Sequence, residues 1–466
     1  MSKSHLYNRT NKTSIINFAK LLLNHSLRNF IEDDSIALYG GKGNFGQLIE
    51  EQYFGYKINS VSEPDFNEVK MELKCTPLKK LKNGKYHSKE RLVLNIINYL
   101  DVIKEDFVTS SFWRKNSNIL LIFYLYEKDK SVLDYIIKLV DEWEFPDEDL
   151  IIIQRDWYKI INKINEGRAH ELSEGDTFYL GACTKGANST SLRKQPFSDT
   201  LAMQRAFSLK QGYVNHIIAT IAGQSKIEFG KLIKSKTEIQ DLTLEEIISS
   251  RFQKYYNQPL NQILKNNNLS INLKSKGFTA ALTKALLGIE LDKEIEEFDK
   301  AEIIVKTVRL KENNLPKEDL SFPAFKFNKI CQQEWLDSDY KNILEHKFLF
   351  VFLKYKGDQL FFDKVKFWNM PYDDILEAKR VWLYTKSIIN DGNIVSSVVD
   401  GRRITNFPSK KFSKVSHVRP HAQNADDTFD LPVLDQVTGS NKYTKQSFWL
   451  NNSYIKYHIY IEKILN

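Results

Sequence analysis

The sequence predicts an α+β protein built from two tandem copies of one domain, and three observations carry that prediction. The chain has 466 residues, more than a single core of about 100–200 residues accommodates. The stretch 143–167 (WEFPDEDLIIIQRDWYKIINKINEG) aligns without a gap on 368–392 (WNMPYDDILEAKRVWLYTKSIINDG). Each copy mixes an N-terminal amphipathic helix, short strands with hairpin signals, one continuous apolar strand, and then helices and loops.

The internal match pairs unlike residue types in one order. Trp143 aligns with Trp368, Pro146 with Pro371, Asp149 with Asp374, Arg155 with Arg380, Trp157 with Trp382, and Gly167 with Gly392. The apolar strand 119–126 pairs with 348–355, Asn24 and Leu27 with Asn257 and Leu260, and Phe207, Leu209 and Tyr213 with Phe448, Leu450 and Tyr454. A repeat of this length is a whole domain, not a solenoid period. Residues 224–241 are lysine-rich and have no counterpart in the first copy, so the expected division is 1–223, a linker 224–241, and 242–466.

Composition places the chain among ordinary folded proteins: 42% hydrophobic, 27% charged and 12% aromatic residues. The longest apolar run, 119–126, falls far short of a bilayer span, and the first residues lack a secretory signal, so a cytoplasmic protein is expected. Cys75, Cys183 and Cys331 lie far apart, without zinc-site or disulfide-framework spacing, and read as reduced structural thiols. A net charge of +8 suits an anionic partner such as nucleic acid.

The chemistry concentrates in residues 65–91. The run Val69-Lys70-Met71-Glu72-Leu73-Lys74-Cys75-Thr76 alternates. As a strand it places Val69, Met71, Leu73 and Cys75 on one face and Lys70, Glu72, Lys74 and Thr76 on the other. Asp65 follows Pro64 closely enough for a turn to bring it beside Glu72. Two carboxylates can hold Mg²⁺, which lowers the barrier to phosphodiester hydrolysis, and Lys74 can orient or deprotonate the attacking water or stabilise the transition state. A solvated strand face with an ion pair would give the same alternation. What distinguishes this one is the lysine-rich segment 79–91 that follows at once. Its Asn83-Gly84 pair signals a type I′ hairpin, a basic ribbon beside an acidic pair.

Pro64-Asp65-Phe66 through Glu72-Leu73-Lys74 resembles the Asp, six residues, Glu-Leu-Lys motif of the MutH family, which joins a mismatch-repair nicking enzyme to GATC-specific type II restriction endonucleases on a PD-(D/E)XK nuclease core. Segments 81–86 and 88–99 are similar to the restriction enzymes in particular. The resemblance implies two tandem restriction-endonuclease-like domains and Mg²⁺ held by Asp65 and Glu72. It also implies a further carboxylate on a preceding helix, matched by Glu50, or by Glu51 if the register is one residue off. Segments 172–175 and 182–188 resemble the family's DNA-contacting loop, implying Lys185 and Asn188 as contacts, with Arg193, Arg205 and Lys210 as basic candidates nearby. Cys183-Thr184 stands where the repair enzyme has arginine-proline.

In the second copy Glu297-Phe298 falls under Asp65-Phe66 and Ile304-Val305-Lys306 under Glu72-Leu73-Lys74, while Thr283 falls under Glu50. Isoleucine cannot ligate Mg²⁺, so this copy is expected to be catalytically dead. Its contact-loop position, Val418-Arg419-Pro420-His421-Ala422-Gln423-Asn424, keeps the arginine-proline form and nominates Arg419, His421 and Asn424 for DNA binding.

The leading expectation is a type II restriction endonuclease that cuts both strands of unmethylated GATC duplexes, one domain cutting and the other binding a second site. Such an enzyme is expected to dimerise on DNA or act in two events, and to pair with a GATC methyltransferase. A GATC-nicking repair enzyme and a non-cleaving DNA-binding or scaffolding protein are the alternatives.

Overall fold

The computed structural model describes residues 6–31, 44–57, 63–186, 190–224, 229–270, 275 and 277–461. The chain divides into two compact units. Unit 1 holds residues 1–244 together with 289–302, and unit 2 holds 245–288 and 303–466.

Unit 1 is organised on a four-stranded mixed sheet. β1 (Glu72–Lys80) continues into β2 (Tyr86–Ser88), β3 (Leu92–Ile96) stands apart, and β4 (Asn118–Leu125) leads to β5 (Ile137–Glu144), giving the order β2-β1-β4-β5. β1 and β4 run parallel, with Glu72 opposite Ile119 and Leu73 opposite Leu120, and β5 returns antiparallel to β4. Parallel strands are covered on both faces, which explains why β4 is uniformly apolar. Helix Lys12–Lys20 and helix Asn44–Leu48 cover one face, burying Ile15, Phe18, Leu48, Ile49 and Tyr53 against Leu73, Leu120 and Ile122. After helix Asp147–Asn165, a second sheet of β3, β6 (Leu180–Thr184) and β9 (Arg205–Leu209) forms in the order β3-β9-β6, with β7 (Leu192–Gln195) and β8 (Ser198–Met203) as a separate hairpin.

The segment expected to link the halves is folded. β10 (Phe229–Gly230) pairs with β12 (Glu294–Ile295), and Leu232, Ile233 and Ile239 are buried. Arg155 donates to the carbonyls of Gln240 and Leu242 at 2.9 and 2.7 Å. The lysines of this stretch mask three apolar anchors, so composition alone suggested a solvated connector.

Unit 2 repeats the arrangement. β11 (Gln258–Pro259), β13 (Ile304–Leu310), β15 (Phe348–Lys356) and β16 (Gln359–Trp368) form a sheet ordered β11-β16-β15-β13, with β13 parallel to β15 and Ile304 opposite Phe348. Helix Tyr372–Asn390 follows. β14 (Leu320–Ser321), β19 (Ser416–Pro420) and β22 (Gln446–Leu450) form the second sheet. β17 (Val395–Val399) with β18 (Arg402–Thr405), and β20 (Thr428–Asp430) with β21 (Lys442–Thr444), make two hairpins. Equivalences read from the sequence recur in detail. Tyr213 donates to Asp149 at 2.8 Å in unit 1, and Tyr454 donates to Asp374 at 2.6 Å in unit 2. Asn24 and Asn257 both adopt left-handed backbone, at φ 63° and 61°.

Two local expectations change. The strand starts at Glu72, not Val69, because Asn67–Val69 forms a 3₁₀ turn and Lys70 takes a left-handed conformation at φ 53°. The hairpin after β1 is also not a two-residue type I′ turn. Gly84 is left-handed at φ 85° while Asn83 is not, and Gly84 N–H donates to the Leu81 carbonyl at 2.9 Å. That is a three-residue loop in which the glycine takes the bulge position.

Candidate active site

The turn before β1 builds the site. Phe66 and Met71 exchange backbone hydrogen bonds of 2.9 and 3.2 Å around the 3₁₀ turn, folding Asp65 back over the start of the strand. The Leu73 N–H then donates to Asp65 Oδ2 at 3.0 Å, and the Asp65 N–H donates to Glu72 Oε2 at 3.2 Å. The two carboxylates named from the sequence are therefore cross-linked through backbone, which fixes their spacing independently of any bound ion.

Glu72 is 1% exposed. Its Oε1 receives Lys74 Nζ at 2.6 Å and lies 3.5 Å from Lys115 Nζ. The Lys74 and Lys115 side chains keep 17% and 19% exposure, so both cations face the opening rather than the core. Lys115 ends helix Ser111–Asn116, which leads into β4, and it also reaches the Glu63 carbonyl at 3.5 Å. Sequence reasoning missed Lys115. It has no spacing relation to Glu72, and an Arg-Lys pair closing a short helix reads as an ordinary helix C-terminus.

Glu50 lies in the π-helical turn Ile49–Tyr53 that extends helix Asn44–Leu48. Burial, then the charges of Asp65 and Glu72, push its carboxyl up to about 7, against the opposing pull of Lys115 and Lys74. Glu72 is raised as well, first by burial and then by Asp65, with Lys74 acting in the other direction. Glu51 is its half-buried neighbour on the same turn. The cleft beside Asp65, about 500 Å³, is lined by Tyr56, Glu63, Pro64, Asn67, Glu68 and Lys70 and is open to solvent.

The basic candidates separate into two kinds. Lys185 and Arg193 are exposed, the first just after β6 and the second on β7, where its guanidinium also reaches Gln204. Asn188 lies outside the described residues. Arg205 and Lys210 do not serve as DNA contacts. Both are buried, Arg205 donating to the carbonyls of Ala182 and Leu172, and Lys210 to those of Thr177 and Ala301 at 2.7 and 3.3 Å. A basic residue in a strand that proves central spends its donors on backbone.

In unit 2, Arg419 lies on β19 with its guanidinium 3.8 Å from the Trp449 ring and 3.0 Å from Asp319. His421 is exposed beside the same ring, and Asn424 accepts from the N–H groups of Asp426 and Asp427 at 3.0 Å, closing its own turn. One ion pair is inverted between the units. Arg91 meets Glu174 in unit 1, and Asp319 meets Lys410 in unit 2, each pair bridging the residue before the short strand (β3 or β14) to the loop before β6 or β19.

An Asp-Glu-Lys set at the mouth of a parallel strand pair in an α+β sheet, with a further carboxylate on a helix, defines a nuclease of the PD-(D/E)XK class. The family described as DNA mismatch repair enzyme MutH matches residues 54–156, which span β1, the lysines of the site and β4. The chain is 41% identical to the type II restriction enzyme Sau3AI of Staphylococcus aureus, with 96% of this chain and 97% of that protein covered. It is 30% identical to the DNA mismatch repair protein MutH of Shewanella woodyi over 185 residues, which is 39% of this chain and 78% of that protein. The chain belongs to the MutH family, as a Sau3AI-like type II restriction enzyme. Among the described residues no helix is long and apolar enough to cross a membrane.

Proposed function

We propose that this enzyme hydrolyses both strands of duplex DNA at unmethylated GATC sites with Mg²⁺, leaving 5′-phosphates, and that unit 1 cuts while unit 2 binds a second copy of the site. One observation carries the division of labour. Asp65, Lys74 and Lys115 meet at the buried Glu72 with Glu50 close by, whereas the same strand position in unit 2 is Ile304.

The donor set fits a hard divalent cation. Asp65 and Glu72 offer only oxygen, the donor type such an ion prefers, and Glu50 nearby is raised first by burial and then by the charges of those two carboxylates. Asp65 and Glu72 would hold Mg²⁺, which would supply charge neutralisation on the phosphate and a more acidic water. The protein does the rest. Asp65 and Glu72 are held in place by the backbone bonds described above. Lys74, 2.6 Å from Glu72, is placed to orient or deprotonate the attacking water or to stabilise the developing negative charge on phosphorus-bound oxygen. Lys115 adds a second cation on the same carboxylate. Glu50, sitting near neutrality, can take up or release a proton at working pH.

Each chain carries one competent site, so a double-strand break needs two protomers on one duplex or two successive events. A host using this activity in its cytoplasm protects its own DNA with a GATC methyltransferase. Matching of nearly the whole chain to a restriction enzyme favours this reading over a GATC-nicking repair enzyme, whose relative aligns with only 39% of the chain.

The test is incubation with Mg²⁺ of plasmids carrying no, one or two GATC sites, methylated and unmethylated. Linear product confined to unmethylated GATC plasmids is the expected outcome. A nick that persists at long times would establish the repair-type reaction, and binding without cutting would overturn the nuclease assignment.

A further inference from the structure

The two units differ most between the long helix and the strand that follows it. In unit 1, residues 168–179 contain only two single-turn 3₁₀ helices, Ala169–Glu171 and Glu174–Asp176. In unit 2 the corresponding connection runs from Gly392 to Ser416 and holds the extra hairpin β17–β18. Its base is fixed. The Val395 N–H donates to Asp435 at 2.9 Å, and Asn406 donates to the carbonyls of Ile394 and Asn393 at 2.9 and 3.0 Å. Its tip is a tight turn in which Asp400 and Gly401 are both left-handed, at φ 50° and 74°. Two left-handed residues are the type I′ signature, so the ribbon carries the strong right-handed twist of a two-residue hairpin.

The side chains on this ribbon are unusual for a solvated hairpin. Val399 pairs with Arg402 and Ser397 with Ile404, placing these four on one face. Val399 and Ile404 are 51% and 49% exposed, and Arg402 is exposed between them. Among the described residues the Arg402 side chain makes no hydrogen bond or ion pair. On the opposite face Arg403 leans over the Tyr443 ring, 5.8 Å from its centroid. From Gly401 to His421 the chain carries six cations (Arg402, Arg403, Lys410, Lys411, Lys414 and Arg419) and no carboxylate. The stretch runs straight into β19 and Arg419.

An unpaired ribbon edge with exposed aliphatic residues is normally protected against self-association by mixed charges. Here the ribbon carries Arg402 and Arg403 against one carboxylate, Asp400 at its tip, and the chain that follows to His421 adds four cations, of which Lys410 and Arg419 meet Asp319; the net positive charge opposes self-association and attracts a polyanion. A two-stranded ribbon has the width of the DNA major groove, where aliphatic side chains meet thymine methyl groups and arginines reach the flanking phosphates. We infer that the hairpin Val395–Thr405 is a DNA-binding ribbon peculiar to unit 2, entering the major groove of the duplex that this unit holds, with Arg402 on the phosphate backbone and Val399 and Ile404 against the base edges. This rests on the reading of unit 2 as a DNA-binding domain and names the element that makes it one.

The experiment uses the full chain with Lys74→Ala, so that no cutting intervenes, and a fluorescent duplex carrying one GATC site, titrated at several salt concentrations. The parent should bind two duplexes per chain. Adding Arg402→Ala should weaken the second duplex several-fold and lower the slope of log affinity against log salt by about 0.9, leaving the first duplex and the melting temperature unchanged. Ile404→Asp should weaken the same duplex further. Arg419→Ala separates the ribbon from the reading beneath it. If Arg419→Ala weakens the second duplex while Arg402→Ala and Ile404→Asp do not, unit 2 binds DNA without the ribbon and the inference is overturned. A parent that binds one duplex, indifferent to all three changes, removes both. If Ile404→Asp shifts the sedimentation coefficient without DNA, the ribbon is a contact between chains and the inference fails.

Discussion

Glu72 and Ile304 open the same strand in the two units: Glu72 lies opposite Ile119 and Ile304 opposite Phe348 across equivalent parallel pairs. Two residues earlier, Lys70 and Glu302 share a left-handed backbone at φ 53° and 54°. The scaffold that presents a carboxylate is thus intact in both units. A carboxylate buried at this position costs stability unless a cation meets it. Unit 1 supplies Lys74 and Lys115, and unit 2 has removed the acid instead.

Lys74→Ala should lower single-turnover cleavage of a GATC plasmid by on the order of 10³-fold while sparing binding. Lys115→Ala should cost on the order of 10²-fold, because Lys74 still meets Glu72 when Lys115 is gone. An active Lys74→Ala enzyme would show that the reacting atoms lie elsewhere.

Glu50 links the site to stability. Burial, with the charges of Asp65 and Glu72, pushes its carboxyl in the folded protein up to about 7 from an ordinary value of 4.5. Between those values the folded chain holds a proton that the unfolded chain has released, so the Glu50 contribution to stability falls as pH rises from about 4.5 to about 7. Glu50→Gln should therefore raise the melting temperature of the EDTA-treated protein at pH 8, have much less effect at pH 4.5, and slow cleavage. Equal melting shifts at both pH values would mean that the Glu50 carboxyl is not raised in the folded protein.

The legible part of this protein was set by local chemistry. Alternation at 69–76, the Pro64-Asp65 turn and the lysine hairpin are short-range signals, and the internal match aligned the apolar strand 119–126 with 348–355 but carried no information on which strands pair or in which direction. What sequence could not show depends on packing between distant segments. Lys115 reaches Glu72 only because helix Ser111–Asn116 precedes the strand that pairs with β1. Arg205 and Lys210 looked like surface cations because nothing local reveals that the carbonyls of Ala182, Leu172 and Thr177 converge on them. The boundary expected at 242 was similarly unaware that residues 289–302 fold into unit 1.

That returning segment carries a buried cation. Lys300 lies 2.8 Å from Asp149 and 2.7 Å from Glu296, with the Tyr213 hydroxyl on the same aspartate. Burial opposes its charge, but the two carboxylates more than restore it, and its pKa is raised. Lys300→Met should leave Asp149 buried without a counter-charge and cost about 3–5 kcal/mol in urea unfolding of unit 1. Adding Asp149→Asn should recover part of the loss. A neutral Lys300→Met would mean that water reaches the pair.

Restoring the missing acid in unit 2 should not restore cutting. Ile304→Glu would place a carboxylate beside Lys306, whose own charge burial already disfavours. The remaining parts of the site are absent. Thr283, fully buried, stands in for Glu50, and the Leu344 side chain, four residues before Phe348, occupies the position that Lys115 holds before Ile119. Glu297, which aligns with Asp65 in the sequence but folds into unit 1, has committed both oxygens to the backbone N–H groups of Leu232 and Ile233 at 2.7–3.0 Å. The substitution should therefore destabilise unit 2 by about 2 kcal/mol. In a Lys74→Ala background, plasmid should be cut no faster than by Lys74→Ala alone at every Mg²⁺ concentration. Cutting faster than Lys74→Ala alone in that double variant would show that unit 2 lacks only its glutamate, and that the division into a cutting and a binding unit hangs on a single side chain.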